Sequence, residues 1–166
     1  MDLKGITTVS KIVLIVVVLA LVGLFLQRSY SNKKVASENV GIGETFLAEN
    51  AKAEGVETTA SGLQYLVLEK GEGTVHPGPT DKVKVHYHGT LINGNVFDSS
   101  VERGEPISFG LNQVVKGWTE GLQLMTVGDK FRLFIPANLA YGNRGVGSIP
   151  AGSVLIFDVE LLGINQ

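Results

Sequence analysis

The strongest feature of the hydrophobic pattern lies near the start of the chain. Residues 12–26, IVLIVVVLALVGLFL, are apolar without interruption, with Lys4 and Lys11 before them and Arg28, Lys33 and Lys34 after. A helix of that length reaches about 22 Å, short of a hydrocarbon core of about 30 Å. Snorkelling of Lys11 and Arg28 would extend it. The run predicts an uncleaved membrane anchor within residues 1–30. A cleaved signal segment is the other reading, with Ser29-Tyr30-Ser31 as a weak small-x-small site. Positive charge on both flanks leaves orientation open. Either reading sends the following chain across a membrane when the amino terminus stays inside.

Residues 31–57 are polar and rich in Ala, Glu, Asn and Lys. They predict a linker with one short helix over residues 45–52, which carries Phe46 and Leu47 as its large apolar residues and stops by Gly55. The apolar periodicity is too short for a helical dimerisation arm.

From residue 58 to residue 166 the pattern changes to strands and turns. SGLQYLVLE sets Leu63, Tyr65 and Val67 on one face. KVKVHYHGTL sets Val83, Val85, Tyr87 and Leu91 one way and Lys84, His86, His88 and Thr90 the other. Asn93-Gly94 signals a hairpin turn. Phe131, Leu133 and Ile135 alternate with Lys130 and Arg132, and Leu155, Phe157, Val159 and Leu161 share a face. One stretch, NQVVKGWTEGLQLM, is helical in period: Val115, Trp118, Leu122 and Met125 recur at spacings of three and four, and Gly128 lies past the end. The expected class is α+β, an antiparallel half-barrel sheet wrapped on one short amphipathic helix and preceded by an apolar N-terminal helix.

Composition narrows the function. The chain has 166 residues, 44% of them hydrophobic, with 21 glycines, no cysteine and a formal net charge of −2. A packed core with many turns is expected. Thiolate catalysis, disulfides and cysteine-held metals are excluded. No basic tract is present to neutralise phosphates, so no nucleic-acid partner is expected.

The stretch VHYHGTLINGNVFDSS, residues 85–100, gathers the residue types used for proton transfer. His86 and His88 stand at i and i+2 of a strand, but two ligands do not make a metal site, and the third histidine, His76, lies in a proline-rich loop. They read as a solvated strand face. Ser99 and Ser100 follow Asp98 without a G-x-S-x-G elbow. Asp98 and Glu102 read as a solvated loop pair rather than a glycosidase pair. The glycines of GNRGVGSIPAGS, residues 142–153, lack the lysine and the helix of a phosphate loop and read as a flap between two strands. What remains is aromatic: Tyr87, Phe97, Phe109, Trp118, Tyr141 and Phe157 come from different elements. Either the core closes over Trp118 or its indole floors an apolar pocket.

Three ordered motifs, VHYHGTLINGNVFDSSVERGEPISF, VVKGWTEGLQLMTVGDKFRLFIPANLAYG and IPAGSVLIFDVELL, resemble the FKBP-type peptidyl-prolyl cis-trans isomerases, over about residues 58–166. The lead-in NAKAEGVETTASGLQY resembles the bacterial branch that includes the Mip-like proteins, whose long helical dimerisation arm is here missing or cut to a stub.

The resemblance implies a half-barrel of five or six strands and an apolar pocket for a proline side chain. Trp118 would be its floor, Tyr87, Phe97, Phe109 and Phe157 its walls, and Val114 and Val115 its edge. Tyr141 would donate to a ligand carbonyl, with the N–H near Val115 as a second partner. Asp98 would sit at the rim, tied to Tyr87 and Arg103, and Ile149 would cover the ligand from the flap. Ile107 stands where better-known members often carry an aromatic residue, so one wall is smaller. The implied activity is isomerisation of X–Pro bonds in folding polypeptides, without cofactor or metal, and macrolide immunosuppressant-type compounds become possible ligands. A non-catalytic anchored chaperone using the same pocket is the second reading. The expected location is a bacterial inner membrane, held by residues 12–26 with the domain periplasmic, or a soluble periplasmic form after cleavage.

Overall fold

The computed structural model describes residues 3–166. Met1 and Asp2, and the side chains of residues 3–12, 28, 30 and 31, lie outside the description, and with them the snorkelling expected of Lys11 and Arg28. Helix α1 runs unbroken from Leu3 to Asn50. This corrects one expectation: residues 31–44 are helix rather than linker. The segment contains no proline, and extending an existing helix costs far less than nucleating one. The large apolar side chains from Val13 to Leu26 are all exposed, and α1 is long and apolar enough to cross a membrane.

The last turns of α1 are different. Ala36 is buried, the Asn39 amide donates to the Ala151 carbonyl, and Phe46 packs on Phe134 with ring centroids 6.1 Å apart. Gln64 donates to the Leu47 carbonyl and accepts from Asn50. Residues 36, 39, 43, 46 and 50 recur at helical spacing, so one face of α1 is docked.

The sheet contains β1 (Val56–Thr58), β2 (Gln64–Glu69), β3 (Lys82–Thr90), β4 (Val96–Ser99), β5 (Ile107–Gly110), β6 (Lys130–Ile135) and β7 (Leu155–Ile164). Its order is β1-β2-β6-β7-β3-β4, and every pairing is antiparallel. The count exceeds the expected five or six because β4 and β5 divide one edge of β3, pairing with residues 88–90 and 82–85. Between β4 and β5 lies a single helical turn, α2 (Ser100–Arg103), which the pattern did not predict. Helix α3 (Lys116–Gln123) crosses the inner face.

Alternation works as expected on β3, β6 and β7: Val83, Val85, Leu133, Ile135, Val159 and Leu161 are fully buried with Leu122 and Met125. Helix α3 approaches closely because it presents glycine to β6. A Cβ at Gly117 would stand 2.4 Å from Ile135 Cγ2, and one at Gly121 would stand 2.8 Å from Leu133 Cδ1. Phe134 points to the opposite face and is buried there by α1, so the sheet carries helix on both sides. Val67, expected inside, is 42% exposed where β2 shifts register. The Asn93-Gly94 turn is a loop from Leu91 to Asn95, closed by Leu91 N–H on the Asn95 carbonyl, with Gly94 at φ +85°.

Candidate active site

A cleft of about 640 Å³ opens between β3–β4, β5, the start of α3 and the loop before β7. Trp118 forms its inner wall and is only 5% exposed. Three rings stand around the indole: Tyr87 at 5.2 Å and 83°, Phe157 at 5.0 Å and 83°, and Phe109 at 5.2 Å and 52°. Phe97 meets Phe157 edge-on, 5.2 Å away at 86°. Edge-to-face contacts of this kind hold rings in fixed orientation. The indole Nε1 is buried with no protein hydrogen-bond partner.

Register explains how the strands deliver these side chains. Tyr87 and Gly89 on β3 face inward; Gly89 pairs with Asp98 on one side and Phe157 on the other. The hairpin therefore brings Tyr87 to Asp98, and Tyr87 and Phe97 each meet Phe157.

The rim is polar. The Tyr87 hydroxyl donates to Asp98 Oδ2 at 2.5 Å, and Arg103, at the end of α2, donates to Asp98 Oδ1 and, at 3.0 Å, to the Tyr87 oxygen. The Arg103 guanidinium also lies 5.8 Å from the Tyr87 ring centroid. Ser99 makes this possible: its hydroxyl accepts from the Glu102 N–H and caps α2, which turns Arg103 back over the hairpin. Burial raises the Asp98 pKa, but donation from Tyr87 and then Arg103 outweighs it and leaves the carboxyl below its ordinary value. Burial and then the Asp98 contact push the Tyr87 phenol up. Arg103 is held protonated by Asp98 and then Tyr87.

Eleven of the twelve named residues line this one cleft: Tyr87, Phe97, Asp98, Ile107, Phe109, Val114, Val115, Trp118, Tyr141, Ile149 and Phe157. Arg103 stands behind the rim. Val115 precedes α3, where its carbonyl accepts from the Trp118 and Thr119 N–H groups. The two histidines are not a free solvated face as expected. Helix α2 folds over them, and His86 and His88 each place Nδ1 3.0 Å from a serine hydroxyl, Ser100 and Ser99 respectively.

Residues 73–162 match the family model for FKBP-type peptidyl-prolyl cis-trans isomerases, and residues 18–67 match the model for the domain amino terminal to them. The chain belongs to the FKBP-type peptidyl-prolyl cis-trans isomerase family. It is 62% identical over 133 residues to the FKBP-type isomerase FkpA of Aeromonas hydrophila, covering 80% of this chain and 49% of that one. It is 58% identical over 123 residues to the FKBP-type 22 kDa isomerase of Escherichia coli, covering 74% and 59%. The chain thus spans about half the length of the curated relatives it matches. Among solved structures it superposes on FkpA from Escherichia coli with a TM-score of 0.81 at 43% identity, covering 90% of this chain and 72% of that one. An isomerase from Pseudomonas syringae gives 0.72 at 36% identity, covering 79% and 96%.

The FKBP domain's cleft also contains residues that the sequence reading missed. Gln113, Val146, Gly147 and Ser148 line it. Gln113 immediately precedes Val114 in the helical stretch, and the other three lie just before Ile149 in the flap segment 142–153, so both segments were read but these positions were not singled out. Gly89 is the more important omission, since it lies beneath the Phe97–Phe157 contact.

Proposed function

We infer that the chain accelerates cis-trans isomerisation of X–Pro bonds in polypeptides, with the cleft around Trp118 as its catalytic centre. The carrying observation is that edge-to-face wall of rings around a nearly buried indole, open on one side and rimmed by a locked Tyr87–Asp98–Arg103 triad.

The X–Pro amide resists rotation by about 18–20 kcal/mol through resonance between nitrogen and carbonyl. In the twisted transition state that resonance is lost and the amide is less polar. Apolar walls therefore favour it over the planar ground state, and no nucleophile is required. Trp118, Phe97, Phe109 and Phe157 hold the prolyl ring. Tyr141 and the N–H near Val115 position the flanking carbonyls, Ile149 covers the peptide, and the flanking chain rotates. Asp98 and Arg103 act by fixing Tyr87. Proline-containing polypeptides are the substrate class, and macrolide-type compounds fit the same dry pocket.

The apolar segment of residues 12–26 serves as the anchor of this enzyme to a bacterial inner membrane, with the domain on the periplasmic side. Support comes from the exposed apolar surface from Val13 to Leu26 and the mean hydropathy of 2.1 in the most apolar stretch of α1. Resistance of the full-length protein to alkaline extraction from membranes, with intact mass retained, tests the anchor. A topology reporter after Gln166 tests the side.

The activity is tested by protease-coupled turnover of a short prolyl peptide by the purified full chain. A rate at the uncatalysed level, with the peptide still bound, would replace this reading by that of a binding module.

A further inference from the structure

Behind the cleft, the flap and the anchor helix touch. Loop 142–152 is closed at its neck by the Gly152 N–H on the Gly142 carbonyl, at 2.8 Å. At its tip Val146 and Ile149 exchange two hydrogen bonds of 2.9 Å. Ile149 is 8% exposed and faces the cleft. Two residues further on, the Ala151 carbonyl accepts from Asn39 Nδ2 of α1 at 2.7 Å. Gly152, at φ +78°, lies so close to α1 that a Cβ there would stand 2.3 Å from the Ala36 oxygen. Gly43 does the same from the helix side, since a Cβ at 43 would stand 2.7 Å from Val154 Cγ2. Helix α1 is itself fixed on the sheet through Phe46, Leu47 and Asn50.

We propose that Asn39 is a positioning residue for the flap: through the Ala151 carbonyl, α1 holds the neck of loop 142–152 so that Ile149 stays over the cleft. Three features converge on this. The contact is directional, because a donor on a rigid helix meets a backbone carbonyl of the loop. It is close, because Ala36, Gly43 and Gly152 are small enough to let the backbones approach. It acts on the loop limb that carries Ile149, whereas the opposite limb begins at Tyr141. The consequence is that the segment linking domain to anchor also sets how the cleft is covered. The inference deepens the isomerase reading and rests on it for its kinetic arm.

The test uses the full chain in detergent, with Asn39→Ala and the isosteric, donor-free Asn39→Asp. Glu38→Ala, one residue away on the exposed side of α1, is the control. Losing one net hydrogen bond corresponds to about a fivefold shift in an opening equilibrium. Amide exchange at Ile149 and Gly152 is therefore expected to quicken about fivefold in both Asn39 variants, with β3 amides unchanged. For a prolyl peptide, KM is expected to rise about threefold to fivefold with kcat within twofold, and Glu38→Ala to match the parent. Unchanged flap exchange in both variants overturns the proposal. So does a fall in kcat at constant KM. A parent chain without turnover would defeat the isomerase reading alone, and the exchange result would still decide this one.

Discussion

Gly89 of β3 lies directly opposite Phe157 of β7, and a β-carbon at position 89 would stand 2.8 Å from the Phe157 ring and 2.7 Å from that of Phe97. The bare backbone at 89 lets the two rings close edge-on across the strand. Gly89→Ala is expected to push Phe97 out of the cleft and to cost about 1–3 kcal/mol of stability, the range for overpacking a filled site. Turnover of a prolyl peptide should fall about tenfold. Denaturant midpoints and kcat/KM measured together check this, and a variant with parental values of both would refute the packing argument.

At the rim, Tyr87→Phe removes one side-chain donor to Asp98 and leaves the carboxylate to Arg103 and the Ser99 backbone. A twofold to fivefold loss of kcat/KM is expected, and a similar loss for Asp98→Ala. Phe97→Ala should cost more, since it removes a wall. The pH dependence follows from the directions of the shifts: Asp98 is held below its ordinary value and Tyr87 is pushed above its own. Both groups therefore keep their charge state from about pH 6 to 8. A flat kcat/KM profile across that window is expected, and a bell centred near pH 7 would point to proton transfer instead.

The strands and their inward residues were legible because β3, β6 and β7 are buried on the α3 side in a period of two, which the alternation records directly. The aromatic set was legible as an inventory, and only the family resemblance gave it a common pocket. The docking of α1 was not legible. Its contact face is made of Ala36, Asn39 and Gly43 before it reaches Phe46, so small size and a single amide replace the apolar stripe that periodicity detects. Arg103 depends on the one-turn helix α2, which is too short to leave a periodic signal and is defined by the Ser99 cap. The alternation on β6 left Phe134 unassigned, because nothing in the strand itself announces a helix on the far side.

Trp118 separates packing from polarity. Its indole is nearly buried and its Nε1 has no protein partner, an arrangement that carries a desolvation cost of about 1–3 kcal/mol. Trp118→Phe removes that unpaired donor together with some buried ring area, so its stability is expected to stay within about 1 kcal/mol of the parent. Trp118→Ala loses the ring outright and is expected to cost about 3–5 kcal/mol. Both should lower kcat/KM, the alanine variant by more than tenfold. A Trp118→Phe loss of about 2 kcal/mol or more would show that relief of the bare N–H does not offset the lost ring area.

Asp129 contributes to the acid limb of the stability profile. Its side chain is fully buried between the turn after α3 and the segment after β2. It accepts from Lys70 at 2.7 Å, from the Gly71 and Thr126 N–H groups at 2.8 and 2.7 Å, and from the Thr126 hydroxyl at 3.1 Å. Burial raises its pKa, but Lys70 and then the Thr126 and Gly71 N–H groups more than reverse this, and the net direction is downward. A carboxylate depressed in the folded state contributes stability above its unfolded pKa of about 3.9, and that contribution disappears as pH falls through the folded value. Asp129→Asn keeps the shape but puts an amide where donors converge, so a loss of about 2–3 kcal/mol is expected at pH 7. As pH drops below about 4 the parent surrenders the same interaction, so the gap between the two unfolding curves should narrow. A gap that stays constant from pH 7 to pH 3 would mean that the charge of Asp129 is irrelevant and only its shape matters.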